Sequence, residues 1–317
     1  MISFRAPCQP HEDELIGSLL ARWAWCTAHT NATLVRSFGL GWDVWTRDLD
    51  RSLNEAIEAK LACALEMGVA EVHRMTVNAF LVQCGVPVQA IGFQPWMTYI
   101  GVLRWTRLRY GQMFCSRCLQ ASDRYLRREW RLATSCVCPI HGLQLLDACP
   151  YCGKPFTPYR DDELVLARCG HCGGDLARCQ VDRASASDVE LQLAIEKVWE
   201  HARSGRPAPL AAMYSFLSDA AVYDRRFARA GEPWSYWRVW ERAALLRSQQ
   251  GWIERLAREG PYEVSLLCPY GRAGEVRVKH QRKAKKLPAD PQARARLLLA
   301  LARRVCWPRR RRARTKR

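Results

Sequence analysis

The spacing of eight residues constrains this chain more than any other feature. Cys115-Ser-Arg-Cys118 is followed, with 19 residues between, by Cys138-Pro-Ile-His141, and Cys149-Pro-Tyr-Cys152 is followed, with 16 residues between, by Cys169-Gly-His-Cys172. Two ligands three apart on a tight knuckle take adjacent corners of a tetrahedron, and a second knuckle supplies the other two. The pattern predicts two structural zinc ions, one held by Cys115, Cys118, Cys138 and His141, the other by Cys149, Cys152, Cys169 and Cys172. Gly142, Gly153 and Gly173 directly follow knuckles, where a left-handed backbone is useful. Four protein ligands close the coordination shell and leave no position for a catalytic water.

Other readings of these residues fit less well. Cys149-Pro-Tyr-Cys152 also spells a glutaredoxin-type redox pair, but that chemistry needs a βαβ context, and here two further thiols follow at ribbon spacing. A zinc deaminase needs His-x-Glu or Cys-x-Glu ahead of its Pro-Cys-x-x-Cys, and neither occurs upstream. Cys136 and His171 are either substitute ligands or packed or solvated side chains. Cys8, Cys26, Cys63, Cys84, Cys179, Cys268 and Cys306 read as small buried hydrophobes. No phosphate-binding P-loop is present and the seven histidines are scattered, so no enzyme is expected. The acids of His11-Glu-Asp-Glu14 are explained by the helix beginning there, because acids favour a helix N-terminus.

Charge is segregated along the chain. The 317 residues carry 49 Lys+Arg against 31 Asp+Glu, a net +18. Residues 277–317 hold 17 of those cations and one acid, Asp290, for +16, which leaves +2 for residues 1–276. Arg309 to Arg312 form the densest run, a candidate nucleic-acid contact. Within the body, an arginine belt over residues 104–131 includes Arg124, Arg127, Arg128 and Arg131, candidates for phosphate contact or for a solvated surface. No apolar run approaches the roughly 18 residues needed to span a bilayer, and the N-terminus lacks the layout of a signal peptide. A cytoplasmic protein without disulfide staples or a membrane partner is expected.

Apolar periodicity predicts helices over residues 11–27, 31–38, 53–65, 70–81, 189–198, 210–227 and 234–258. Ser52-Leu-Asn-Glu55 has the layout of a capping box. The helices meeting at Met67-Gly68-Val69 read as a helix-turn-helix or as an ordinary helical hairpin, with Asn78 the best base-edge candidate on the second. Trp237, Trp240, Ala244 and Leu245 form a stripe read as core, with base stacking as the alternative. The predicted architecture is mainly α. It comprises a helical, helix-turn-helix-like domain over residues 1–110, a tandem zinc-finger, ribbon-like module over 111–180, a helical domain over 181–270 and a basic tail over 271–317.

These residues resemble a family. The opening His11-Glu-Asp-Glu-Leu-Ile-Gly-Ser-Leu-Leu-Ala-Arg-Trp-Ala24 is similar to the acidic, leucine, serine, tryptophan/leucine, leucine, arginine start of the TniQ/TnsD transposition proteins. Phe114-Cys-Ser-Arg-Cys-Leu119 with Asp123, then Trp130-Arg-Leu132, Val137-Cys-Pro-Ile-His-Gly142 and Cys149-Pro-Tyr-Cys-Gly153 are similar to that family's zinc region in order and spacing. The likeness covers roughly residues 10–175. Ser116 stands where proline is usual, and Gly17 stands beside the serine of the opening motif; neither removes a ligand. The resemblance implies a non-catalytic target-selection factor of a bacterial Tn7-like or mercury-resistance-type transposon. Such a factor links a target mark to the transposon's AAA+ ATPase regulator, which recruits the transposase. The mark is a CRISPR effector (Cascade-type) complex, bound as a homodimer, or attachment-site DNA read directly. On the first alternative the body docks proteins and the basic regions contact DNA or RNA. On the second, a recognition helix near residues 69–80 reads sequence and the arginine belt holds phosphates. A zinc-containing transcription regulator is the remaining class.

Overall fold

The computed structural model describes residues 8–41, 44–45, 47–89, 92–100, 102–103, 106–107, 109–159, 166–206, 210–223 and 232–259. The basic tail, with Arg309, Arg310, Arg311 and Arg312, lies outside the described residues, as do Cys268 and Cys306. The structure is mainly helical. Five helices come first: α1 (Ile16–Cys26), α2 (Asn31–Ser37), α3 (Glu55–Leu65), α4 (Val69–Arg74) and α5 (Val77–Gln83). A two-residue hairpin, β1 (Val102–Leu103) and β2 (Thr106–Arg107), precedes the cysteine-rich region. There the regular structure among the described residues is β3 (Val137–Cys138) paired antiparallel with β4 (Leu143–Gln144), plus short 3-10 turns at Cys118–Gln120 and Arg128–Arg131. Then come α6 (Ala186–Arg203), α7 (Leu210–Tyr223), α8 (Val239–Ser248) and α9 (Gln250–Glu259). No described helix is long and apolar enough to cross a membrane.

All described residues fall in one compact unit spanning residues 1–272. The helices bury their apolar stripes in two clusters. The smaller unites Leu19, Leu20 and Trp23 of α1 with Leu34 and Val35 of α2, Leu61 and Leu65 of α3, and Val72 of α4. The larger runs from Leu15 through the cysteine-rich region to Ile253 and Leu256 of α9. Aromatic rings join its parts. Trp199 of α6 meets Phe80 of α5 at 5.7 Å and Trp96 at 5.1 Å, and Trp96 meets Trp234 at 6.2 Å. The metal-knuckle region, too poor in regular structure to stack its own backbone, is packed against helices that precede it and helices that follow it.

Several sequence expectations shift locally. The helix expected over residues 70–81 is two helices, because Thr76 accepts a hydrogen bond from the Ala79 amide at 3.2 Å and so starts α5 afresh. The cap of α3 is Asn54 rather than Ser52; its side chain accepts from the Ile57 amide at 2.8 Å. The span over residues 234–258 breaks into a 3-10 turn, α8 and α9. Trp237, ahead of α8, and Leu245 on it are core, but Trp240 is 59% exposed. Asn78, expected to face DNA or solvent, is buried, with its backbone N–H donating to the Arg51 carbonyl at 2.9 Å. Cys26 and Cys63 are exposed, whereas Cys84 and Cys179 are buried as expected.

The N-terminus of α1 departs most instructively. No acid stands in its first turn, and Leu15, the capping residue, makes no side-chain cap. The anion that favours this helix terminus comes from Asp50 instead, whose Oδ1 accepts from the Gly17 amide at 2.7 Å. Tyr159 holds the other oxygen, its hydroxyl donating at 2.8 Å. Burial pushes the Asp50 carboxyl up, while Arg131 pulls it down. This packing explains the glycine in the opening motif: a Cβ at Gly17 would lie 2.6 Å from the Tyr159 ring and 2.8 Å from Asp50 Oδ1. Gly17→Ala is therefore expected to cost about 1–3 kcal/mol, the usual cost of overpacking, read as a lower denaturation midpoint. A midpoint equal to wild type would show that the ring and carboxylate yield freely.

Candidate metal centres

The two metal clusters are built from short hairpins. Each of three knuckles closes when the amide after its last ligand bonds back to the carbonyl of its first: Gly142 to Cys138 at 2.9 Å, Gly153 to Cys149 at 2.8 Å and Gly173 to Cys169 at 2.8 Å. These glycines have φ of 60°, 67° and 70°, the left-handed region that side chains disfavour. Cys138 and His141 sit on the β3–β4 turn; single bridges, Ala148 with Pro155 and Arg168 with Asp175, hold the last two knuckles in the same way. The first knuckle runs instead into a 3-10 turn and is fixed by reciprocal bonds between Phe114 and Leu146, both 2.9 Å.

The chain thereby brings together Cys115, Cys118, Cys138 and His141 in one cluster and Cys149, Cys152, Cys169 and Cys172 in another. Within each, the four donor atoms lie within 4.8 Å of one another. A tetrahedral ion with metal–sulfur bonds of about 2.3 Å requires sulfur–sulfur edges of about 3.8 Å and slightly shorter sulfur–nitrogen edges. Cys118 and Cys138 are 3.8 Å apart, and Cys149–Cys172 and Cys152–Cys169 are each 3.7 Å. His141 Nδ1 stands 3.3 to 3.6 Å from its three sulfurs. The donor sets thus fit tetrahedral ions and could hold two, with a soft, sulfur-rich chemistry that suits zinc. Hydrogen bonds from Cys115 and Cys118 pull the Cys138 thiol down, and hydrogen bonding with Cys115 and Cys138 pushes Cys118 up. A bound dication would replace the protons that these crowded sulfurs otherwise share.

Cys136 and His171 do not join these donor sets. Cys136 is buried beside Arg242, and its amide bonds to Gln192 of α6 at 3.0 Å. The His171 amide points back to Cys169 Sγ at 3.4 Å, an amide–sulfur bond that sets the knuckle.

The arginine belt divides. Arg124 is partly exposed. Arg127 pairs with Asp13 at 2.5 Å and lies over the Tyr125 ring. Arg128 is buried, donating to the Arg74 carbonyl at 2.6 Å and covering Phe80 at 5.1 Å. Arg131 is 0% exposed; its two terminal nitrogens donate to both Asp48 oxygens at 2.9 and 2.7 Å and one also reaches the Thr98 carbonyl. Phosphate contact by Arg128 and Arg131 is thus corrected: guanidiniums so enclosed cannot meet a phosphate without opening the core. Arg124 and Arg127 are the belt positions of the four with access to the surface.

The structure also explains the opening motif in a way periodicity misses. Glu14 precedes α1 and accepts from Ser18 Oγ at 2.8 Å and Arg22 at 2.6 Å. Burial pushes its carboxyl up to about 7 against the pull of Arg22. Ser18 Oγ in turn accepts from the Leu126 amide at 2.9 Å, and the Leu15 amide donates to the Leu126 carbonyl at 3.0 Å. Asp13 receives Arg127 and the Tyr125 hydroxyl, and His11 stacks on Tyr125 at 4.0 Å. The acid, serine and arginine of the motif are a clamp that binds α1 to the segment around Leu126, after the first metal knuckle. The one sequence signal for it was their shared four-residue spacing.

Residues 6–145 match the family model described as TniQ. The matched span takes in the clamp and the whole first metal cluster and ends before Cys149. No curated protein matches the chain.

Proposed function

Because residues 6–145 match the TniQ family model, we propose that the chain is a non-catalytic adaptor for target-site selection in DNA transposition. It links a target mark, either a CRISPR effector complex or attachment-site DNA, to the AAA+ ATPase and transposase of its transposon, and it works in the bacterial cytoplasm. The observation that carries the reading is the match itself, centred on a clamp and a metal knuckle whose residues are committed to holding one another. Two closed four-ligand zinc sites act as scaffolding in this reading, since neither leaves a coordination position for substrate. The α3–α4 pair, joined over residues 66–68, serves as the helix-turn-helix-like docking element, and two copies assemble on the mark.

The adaptor is favoured over a direct sequence reader. A recognition helix needs free side chains and cations facing the groove. Here α4 has six residues, the first-turn acid Glu71 and Arg74 as its one arginine, and Asn78 is buried. Co-purification tests the proposal: the full chain is expected to retain the AAA+ ATPase of the same transposon in the presence of DNA. Failure to retain it, with the chain folded and metal-loaded, would overturn the adaptor reading. Target-sequence selectivity by the chain alone would favour the direct reader.

A further inference from the structure

A groove of about 1500 Å³ opens between the two metal clusters and the start of α8. Its charged lining, the ligand His141 aside, is Arg117, Arg178, Arg183 and Arg238 against Asp147 and Asp182. Asp147 is consumed internally: it is buried, both its oxygens receive the Arg238 guanidinium at 2.8 to 3.0 Å, and the Val239 amide binds it at 2.8 Å. Asp182 is left to oppose Arg117, Arg178 and Arg183, all three exposed. Arg178 has one acidic neighbour, Asp175 at 3.5 Å across an exposed i,i+3 pair that water screens. A body that is nearly neutral as a whole therefore gathers cations along this wall.

The same groove is lined by Trp240, whose indole is 59% exposed although Trp237, three residues earlier, is core. A large flat ring held in water beside exposed guanidiniums matches two parts of one ligand class. Phosphodiesters answer the charges, and an unpaired base answers the ring face. A duplex hides its base faces, and an acidic peptide has no flat face for the indole. The groove also exceeds the roughly 300–1,000 Å³ of pockets for small molecules, which suits a stretch of polymer.

We propose that this groove holds a single-stranded nucleic-acid segment, with phosphates against Arg117, Arg178 and Arg183 and one base stacked on Trp240. The site takes Arg117 from the arginine belt and adds Arg178, Arg183 and Trp240 from beyond the segment that matches the family. The proposal rests on the reading that this chain works at nucleic acid.

Fluorescence anisotropy with the full, metal-loaded chain and a labelled oligothymidylate tests it. Two variants confined to exposed side chains are compared with wild type, R117E/R178E/R183E and W240A, each checked for unchanged metal content and thermal midpoint. Trp240→Ala is expected to weaken binding roughly 5- to 150-fold, and Trp240→Phe to restore most of it. The triple variant is expected to weaken binding at least about tenfold and to lower the slope of log affinity against log salt by roughly 2, since three phosphates released from a single strand contribute about 0.7 each. Wild-type affinity in either W240A or the triple variant overturns the proposal. Loss of ATPase capture by W240A with oligonucleotide binding intact also overturns it and makes the groove a protein dock. Because ATPase capture by wild type is measured separately, failure here leaves the adaptor reading standing.

Discussion

Metal removal with an excess of chelator is expected to unfold this chain well beyond its cysteine-rich segment. Each site, once filled, contributes on the order of 10–16 kcal/mol of apparent binding energy, which rivals the whole stability of a domain. The ligands Cys115, Cys138, Cys149 and Cys169 belong to the same buried cluster as Trp199 of α6 and Leu256 of α9. When the knuckles open, that cluster loses the wall against which α6 and α9 pack. Far-ultraviolet circular dichroism should therefore lose helical signal together with the metal, and elemental analysis of the native chain should return two zinc ions. Fewer than two per chain would break the two-site assignment. Helical signal that survives full chelation would show that the helices stand without the metal-built wall. Substitution of Cys136 by serine, outside both donor sets, should leave the metal content at two.

Substitution of Arg131 by methionine is expected to cost roughly 3–5 kcal/mol, because it takes away the buried positive charge and the two hydrogen bonds that the guanidinium gives the Asp48 carboxylate. Asp50 beside it would also lose the charge that pulls its carboxyl down. The thermal midpoint should fall by about 6–20 °C for a body of this size. Arg124→Ala, by contrast, should stay within about 0.5 kcal/mol of wild type, as surface changes usually do. The comparison separates the two meanings of an arginine belt. A chain that keeps its midpoint as R131M yet loses nucleic-acid affinity would refute the structural role assigned to Arg131. The same sequence run, eight arginines over residues 104–131, thus holds both core ion pairs and surface charge.

The metal clusters were legible because knuckle chemistry is local. Two ligands three apart need a tight turn between them and often a glycine after them, and both are written within five residues. That is why Gly142, Gly153 and Gly173 adopt the left-handed conformation their positions suggested. Helix positions were legible for the same reason, through stripes such as Leu19, Leu20 and Trp23. Helix ends were less so: Thr76 and Asn54 act as caps, but the apolar spacing continues past both.

Charge was the least legible. Asp13 and Glu14 looked like ordinary acids at a helix start, yet Glu14 binds Ser18 and Arg22 while Asp13 reaches Arg127, 114 positions away. The anion that does sit at the start of α1 is Asp50. A charged side chain has no period to betray its partner, so its role appears when distant segments are brought together. The burial of Arg131 and Asn78 and the exposure of Trp240 belong to the same class.

By itself, then, the sequence determined the two four-ligand clusters, the mainly helical character, the placing of almost all excess charge in the last 41 residues and the likeness to the TniQ family. Those rest on contacts between near neighbours, on counts or on short motifs. Tertiary structure alone decided which arginines are spent in the core and which face water, and it alone showed why the opening motif has its acid, serine and arginine. It also set an exposed indole beside a cationic wall. Each of those depends on desolvation, and desolvation is a property of what the rest of the chain places around a residue.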